Sequence, residues 1–333
     1  MRHTISIFAA LVACLVCLGA APASDLKVIQ RIPGPDGGWD YASLDPQHGR
    51  VLIAHGQTVL TLDVATGRLD PAFAQGDHLH AVVPVPGAGV VVTTNSGDAS
   101  AKIIDARSGA LIASLPTAPD PDGAAYDPAT GLVIVVNGDA GKLTLVDPRK
   151  KAIAGVIDVG DKLEFPASDG KGEAFVNVES KGEIAVVDIA GRKALKRYPM
   201  QGCTRPTGLA YVSGDRLVSS CNGVAKILDA ATGREIASLK IGGFPDAVIY
   251  DPGRRLAYIP TALDGMLNVV ALSGPDDNTI VARVPTQVGA RTGAVDPRSG
   301  RIYLPAATYG PMAPGTRPTP QPGTFVVLVV GRG

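Results

Sequence analysis

Gly123-Ala124-Ala125-Tyr126 leads into Asp127-Pro128, and Leu132-Val133-Ile134-Val135-Val136 leaves it. Asn137-Gly138-Asp139-Ala140-Gly141 connects to Lys142-Leu143-Thr144-Leu145-Val146-Asp147, and after a second turn the chain runs on from Ala152 to Val159. Short β-rich runs bounded by Gly, Pro, Asn and Asp read as strands joined by tight turns, here strands A to D of one antiparallel sheet. The Asp-Pro turn and its following run return at Asp45-Pro46 with Val51-Leu52-Ile53-Ala54, at Asp251-Pro252 with Leu256-Ala257-Tyr258-Ile259, and at Asp296-Pro297 with Arg301-Ile302-Tyr303-Leu304. Weaker copies stand at Val85-Pro86, Asp169-Gly170 and Val212-Ser213, so seven anchors follow one another at spacings of 39 to 45 residues. A period of ~40–45 residues built from short strands marks the blades of a propeller. The expected fold is all-β, a seven-bladed β-propeller of four-stranded antiparallel blades.

The last copy ends on Thr324-Phe325-Val326-Val327-Leu328-Val329-Val330, a C strand with no D strand after it. Leu26-Lys27-Val28-Ile29-Gln30-Arg31-Ile32 stands before the first A strand, where a D strand belongs. The N-terminal strand is therefore expected to complete the last blade, closing the ring and removing its exposed edge. The C–D turns Asp63-Val64-Ala65-Thr66-Gly67, Asp105-Ala106-Arg107-Ser108-Gly109 and Asp229-Ala230-Ala231-Thr232-Gly233 carry acids of structural type. Asp and Ser/Thr bond the local backbone there, while Gly accepts positive φ.

Residues 1–24 read as a signal peptide and residues 25–333 as the propeller. Arg2 and His3 precede an apolar run from Ile5 to Ala21, and Ala21-Pro22-Ala23 offers a small-residue cleavage site. A soluble, exported protein of the periplasm, or one secreted further, is expected, with no membrane insertion of the mature chain. With Cys14 and Cys17 in the signal segment, Cys203 and Cys221 are expected to form a disulfide in the oxidising compartment, the alternative being two small buried thiols. Lys plus Arg and Asp plus Glu both number 31, and the only basic run, Arg149-Lys150-Lys151, follows an Asp-Pro turn. No bulk field favours nucleic acid or an anionic membrane, and a monomer is expected.

Aligning the copies exposes two polar positions. Five residues before each anchor stand Asp40, His80, Asp122, Glu164, Thr207, Asp246 and Arg291, at the start of the innermost strand. Ten residues after it, allowing blade 5 its one-residue gap, stand His55, Asn95, Asn137, Glu179, Cys221, Thr261 and Ala306, at the end of strand B. Because A and B run antiparallel, both sets belong to one end of the channel. Glu164 and Glu179 should be neighbours, sharing a proton or holding a cation. Asp40, His55 and His80 should cluster, an arrangement for general base work or a transition metal. Asn95, Asn137, Asp122, Glu164 and Glu179 supply oxygen donors that suit Ca²⁺. Arg291 is expected to pair with Asp246 and Asp40, or to grip a substrate carboxylate. Trp39 is a packing plug or a stacking platform, and the Pro-rich insertion 310–323 in blade 7 is either an uninvolved loop or a lid over the mouth. The chain carries no Gly-x-Ser-x-Gly elbow, Walker loop, Cys-x-x-Cys-His or His-Glu-x-x-His.

Gly38-Trp39-Asp40-Tyr41, His55-Gly56, Pro285-Thr286-Gln287, Gly289-Ala290-Arg291-Thr292 and Pro322-Gly323-Thr324-Phe325-Val326 resemble exported bacterial YncE-like proteins of the YVTN-repeat β-propeller group. The resemblance spans the mature chain and implies a seven-bladed periplasmic propeller; it carries no catalytic motif. The function expected is binding of a small ligand, a cation or a partner segment at the net acidic mouth, through Trp39, Asp40, Asp122, Glu164, Asp246 and Arg291. The alternative is a metal-dependent hydrolase or lyase. Asn95, Asn137, Glu164 or Glu179, and Asp246 are similar in kind to the calcium ligands of propeller lactonases, with His55 or His80 as base; a Mg²⁺-dependent lyase stands beside it.

Overall fold

In the computed structural model, residues 25–274, 277–310 and 319–333 are described. The expected signal segment 1–24 and most of the blade 7 insertion thus lie outside the described residues. What is described is all-β: seven separate four-stranded antiparallel sheets, each joining consecutive strands except one. The exception closes the ring. Leu26–Pro33 pairs with Val326–Arg332, which pairs in turn with Arg301–Ala306 and Ala294–Asp296. Val28 faces Val330 and Ile32 faces Val327, so the N-terminal strand is the outer strand of blade 7. No helix among the described residues is long and apolar enough to cross a membrane.

Blade 3 shows the plan: Pro121–Asp127, Leu132–Asn137, Lys142–Asp147 and Ala152–Asp158, from the channel outward. Its middle strands are buried along nearly their whole length because neighbouring blades cover both faces, which is why they read as apolar runs rather than alternations. Ile134, Leu143 and Leu145 of blade 3 pack on Val176, Ala185 and Val187 of blade 4, so the core lies between blades. Outer strands alternate instead, as Leu111–Pro116 does, with one side in solvent.

The turn acids are structural, as the sequence reading expects. Asp63 Oδ1 accepts from Thr66 N and Thr66 Oγ1, both at 2.8 Å, beside Gly67 at φ 72°. Asp127 Oδ2 accepts from Thr130 N (2.8 Å) and Thr130 Oγ1 (2.6 Å), and its Oδ1 accepts from Ser168 Oγ of the next blade at 2.6 Å.

Cys203 and Cys221 are bonded, with Cα atoms 5.4 Å apart. The bridge ties the segment leading into blade 5's innermost strand to the end of its second strand, both buried. It closes a span of 18 residues, for which loop entropy alone gives about 3 kcal/mol. Replacing both cysteines by serine should cost a loss of that order in urea unfolding. A reducing agent should lower the wild-type midpoint in the same way and leave that of the double variant unchanged.

Candidate functional site

Where the innermost strands begin, the pleat is interrupted. Register shifts fall between Leu79 and Val82, Pro121 and Ala124, and Leu163 and Pro166, the intervals that contain His80, Asp122 and Glu164. In blade 1, Asp40 N donates to Ala54 O while Tyr41 O accepts from Ala54 N, so two residues oppose one, the geometry of a bulge. A bulge re-aims side chains, here into the channel. The bulged main chains are also tied from blade to blade: Tyr41 N donates to His80 O (3.0 Å), Thr94 Oγ1 to Asp122 O (2.7 Å), Asn177 Nδ2 to Thr207 O (2.7 Å) and Thr292 Oγ1 to Asp40 O (2.7 Å). The ring of side chains stands on a girdle of fixed backbone.

His80 lies between two carboxylates. Its Nδ1 is 2.7 Å from Asp40 Oδ2 and 3.6 Å from Asp122 Oδ1. Burial opposes its charge, but the Asp40 hydrogen bond and the charges of Asp122, Asp40 and Asp120 prevail and lift the imidazole to about 9. As imidazolium it donates to Asp40 and, through Nε2, to Ser96 Oγ at 3.0 Å. Ser96 Oγ in turn lies 2.9 Å from Nδ1 and 3.2 Å from the carbonyl oxygen of His78, either of which accepts its hydrogen, so a hydrogen-bonded file runs from Asp40 to the exposed His78.

Across the mouth, Arg291 Nε donates to Asp246 Oδ2 (2.9 Å) and its Nη2 to Trp39 O (2.6 Å). The guanidinium sits 5.1 Å from the Trp39 ring centroid, and Tyr309 OH lies 3.3 Å from Nη1. Asp246 and Asp40 hold it charged against burial. Of the two expected partners Arg291 bonds Asp246 directly, while Asp40 acts on it through its charge.

Tyr41 crosses the centre. Its hydroxyl donates to Glu164 Oε1 at 3.4 Å, and its ring packs on Phe165 with centroids 4.6 Å apart. Burial, then Asp246, Glu164, Asp122 and Asp40, push the phenol well above its ordinary value, so it feels the charge of carboxyls from blades 1, 3, 4 and 6. Their crowding shows in their own titration. Glu164 is pushed up to about 10, by burial first and then by Asp122, Asp246, Glu179 and Asp40. Asp122 rises to about 7 through burial and Asp40, against the pull of His80. Asp246 rises to about 6, burial and Asp40 outweighing Arg291. Tyr41 and Phe165 also border an apolar cavity of about 240 Å³ lined by Val248, Ile249 and Val295.

The second set of positions does something else. His55 is buried under Gly37, its ring 4.8 Å from Phe325, and burial lowers its pKa; it does not join Asp40 and His80. Asn95 accepts from Asp77 N (3.0 Å) and donates to Thr93 Oγ1 (3.1 Å), while Asn137 donates to Ala118 O and accepts from Thr144 Oγ1 (2.7 Å). Both amides are consumed inside the protein, so the expected calcium donor set is not assembled. Glu179 shares no proton with Glu164: Lys162 Nζ (2.9 Å) and Arg205 Nε (3.0 Å) hold it ionised against burial. Trp39 packs on Phe325 and Tyr309 with only 4% of its surface exposed, which makes it a plug. Tyr41, Phe165, Ser96, Lys162 and Arg205 escaped the sequence reading.

No family model matches the chain, and no curated protein matches it in sequence. Solved structures match it in shape. Hydrazine Synthase of Kuenenia stuttgartiensis aligns with a TM-score of 0.71 at 15% identity, covering 86% of this chain and 96% of that one. A chain from the crystal structure of the Mitotic Checkpoint Complex aligns with a TM-score of 0.72 at 10% identity, covering 92% and 96%. At such identities the likeness is one of fold, the seven-bladed β-propeller.

Glu164 and His80 both hold protons that the unfolded chain releases earlier. Their contribution to stability is complete below the unfolded values, 4.5 and 6.5, and is lost as pH rises toward about 10 and about 9 respectively. Glu164→Gln keeps a neutral group beside Tyr41 without the titration. Thermal melts should show wild type losing stability between about pH 5 and 9 more steeply than the variant, which overtakes it at the alkaline end. Parallel pH profiles would refute the crowded, protonated Glu164.

Proposed function

We propose that this chain is an exported, YncE-like propeller that binds a small amine-bearing ligand at its channel mouth, exchanging protons for it. One observation carries the reading: four mouth carboxyls, Asp40 and Asp122 at 2.7 and 3.6 Å from His80 Nδ1, Glu164 at 3.4 Å from the Tyr41 hydroxyl and Asp246 at 2.9 Å from Arg291 Nε, meet two cationic side chains among the described residues, His80 and Arg291. Lys162 and Arg205 are committed to Glu179. Crowded carboxyls without enough positive charge hold protons, and a cation that enters supplies the missing charge and expels them. An ammonium finds carboxylate acceptors and the flanking aromatic faces of Tyr41 and Phe165. Export is supported by the composition of residues 1–24 and by the disulfide, which suits an oxidising compartment.

A divalent metal is the second reading, because ligand atoms of Asp40, His80 and Asp122 lie within 4.8 Å of one another. Two carboxylates and an imidazole suit Zn²⁺ or a similar ion, and binding would first displace the His80 proton. Calorimetric titration of the full chain with n-butylamine and, separately, ZnCl₂, in two buffers of different ionisation enthalpy, tests both. Saturable amine binding with proton release is expected, weakened about tenfold or more by Glu164→Gln with Asp122→Asn. Zinc binding abolished by His80→Ala, with no amine binding, favours the metal. If neither cation binds, or neither releases protons, the mouth is not a cation site.

A further inference from the structure

Among the described residues eight large apolar side chains are exposed, and five of them, Leu111, Ile112, Val156, Leu195 and Val281, lie on the outer strands of four blades. The other three stand together on the mouth face: Phe244 (52% exposed), Leu263 (58%) and Val288 (55%). Their segments are bonded in a row. Leu263 N donates to Gly243 O (3.2 Å), Ala262 N to Phe244 O (3.1 Å), and Gly289 N to Ala262 O (2.8 Å). The repeat gives no reason for this patch. Positions equivalent to Leu263 hold Gln57, Gly97, Asp139, Lys181 and Gly223, and those equivalent to Val288 include Asp77, Asp161, Thr204 and Gly243.

Phe244 adds a conformational oddity. The residue two before the ring position takes positive φ in several blades: His78 (53°), Asp120 (59°), Arg205 (51°), Phe244 (54°) and Gly289 (97°). Asp, His and Gly tolerate this region, whereas a bulky aromatic is an outlier there. Blade 6 thus holds its Phe at a conformational cost and leaves half of it in water. The Arg205 guanidinium lies over its ring, 5.7 Å from the centroid, and is tied to Glu179.

The patch adjoins the acidic mouth. Phe244 stands two residues before Asp246 and Val288 three before Arg291, so two or three extended residues, at about 3.3 Å each, span rim and mouth. We propose that the mouth face docks a polypeptide segment that sends a Lys or Arg side chain among the carboxyls and lays a neighbouring apolar side chain on Phe244, Leu263 and Val288. The charge of the mouth selects a basic segment, and the patch adds what a free amine lacks. This rests on the cation reading and names the class of ligand.

Panning a random-peptide display library on the full chain tests it, with n-butylamine calorimetry in parallel. Selected peptides should carry a basic residue within two positions of Leu, Ile, Met or Phe. Their affinity should fall about tenfold or more in Phe244→Gly with Leu263→Ser, while n-butylamine binding stays as in wild type. Glycine suits positive φ, so Phe244→Gly alone should melt no lower than wild type and still bind such peptides less tightly; a merely structural Phe244 would not separate the two. Amine binding without selected peptides, peptides lacking a basic residue, or peptide affinity indifferent to the rim variants overturns the inference and leaves the mouth reading standing. Peptides of the expected kind, dependent on the rim, support it even if butylamine alone fails, which would instead remove the small-amine reading. No binding of either kind removes both.

Discussion

Ring closure through the pairing of Leu26–Pro33 with Val326–Arg332 is the constraint on which the rest depends. An open array would leave strand edges exposed and let the innermost strands splay. Once closed, the first residues of the innermost strands point at one axis, and groups from blades 1, 3, 4 and 6 become neighbours that no local sequence relation connects. The middle strands of every blade are sheathed by apolar neighbours, each fully buried aliphatic side chain contributing about 1.5–3 kcal/mol. That core holds like charges at distances they would not choose.

The charges are arranged in two layers. In the outer one, Glu179 has two cationic partners, Lys162 and Arg205, and stays ionised. In the inner one, carboxyls outnumber His80 and Arg291, and the balance is made by protons, held most firmly on Glu164. This inner layer keeps contact with solvent, the side chains of Asp40, His80, Asp122, Asp246 and Arg291 being 19–27% exposed.

The repeat register made the inner layer legible, because a fixed offset from each anchor selects Asp40, Asp122, Glu164 and Asp246 out of a chain rich in turn acids such as Asp63 and Asp229. The same logic failed for His55, Asn95 and Asn137. At the end of a second strand, loop amides such as Asp77 N lie closer than the channel, and a side-chain amide satisfies them first. Tyr41 was missed for the opposite reason. Alternation along a strand turns the neighbour of an inward residue away, but the bulge at Asp40-Tyr41 breaks that alternation. Phe244 was legible only by comparison, as an aromatic where other blades carry His, Asp, Arg or Gly.

Seven similar backbones therefore carry an uneven ring. Blade 2 contributes His80, Ser96 and the exposed His78, a polar file that leads outward from Asp40 of blade 1. Blades 6 and 7, on the other side, contribute apolar side chains and no comparable file among the described residues. The backbone requires neither, since inter-blade bonds to the ring residues' carbonyls occur in both halves, Tyr41 N to His80 O on one side and Ala247 N to Arg291 O on the other. What differs between blades is only what fold stability leaves free, and those positions concentrate at one face: a polar side suited to releasing protons, an apolar side suited to contact, and between them carboxyls that need a positive charge.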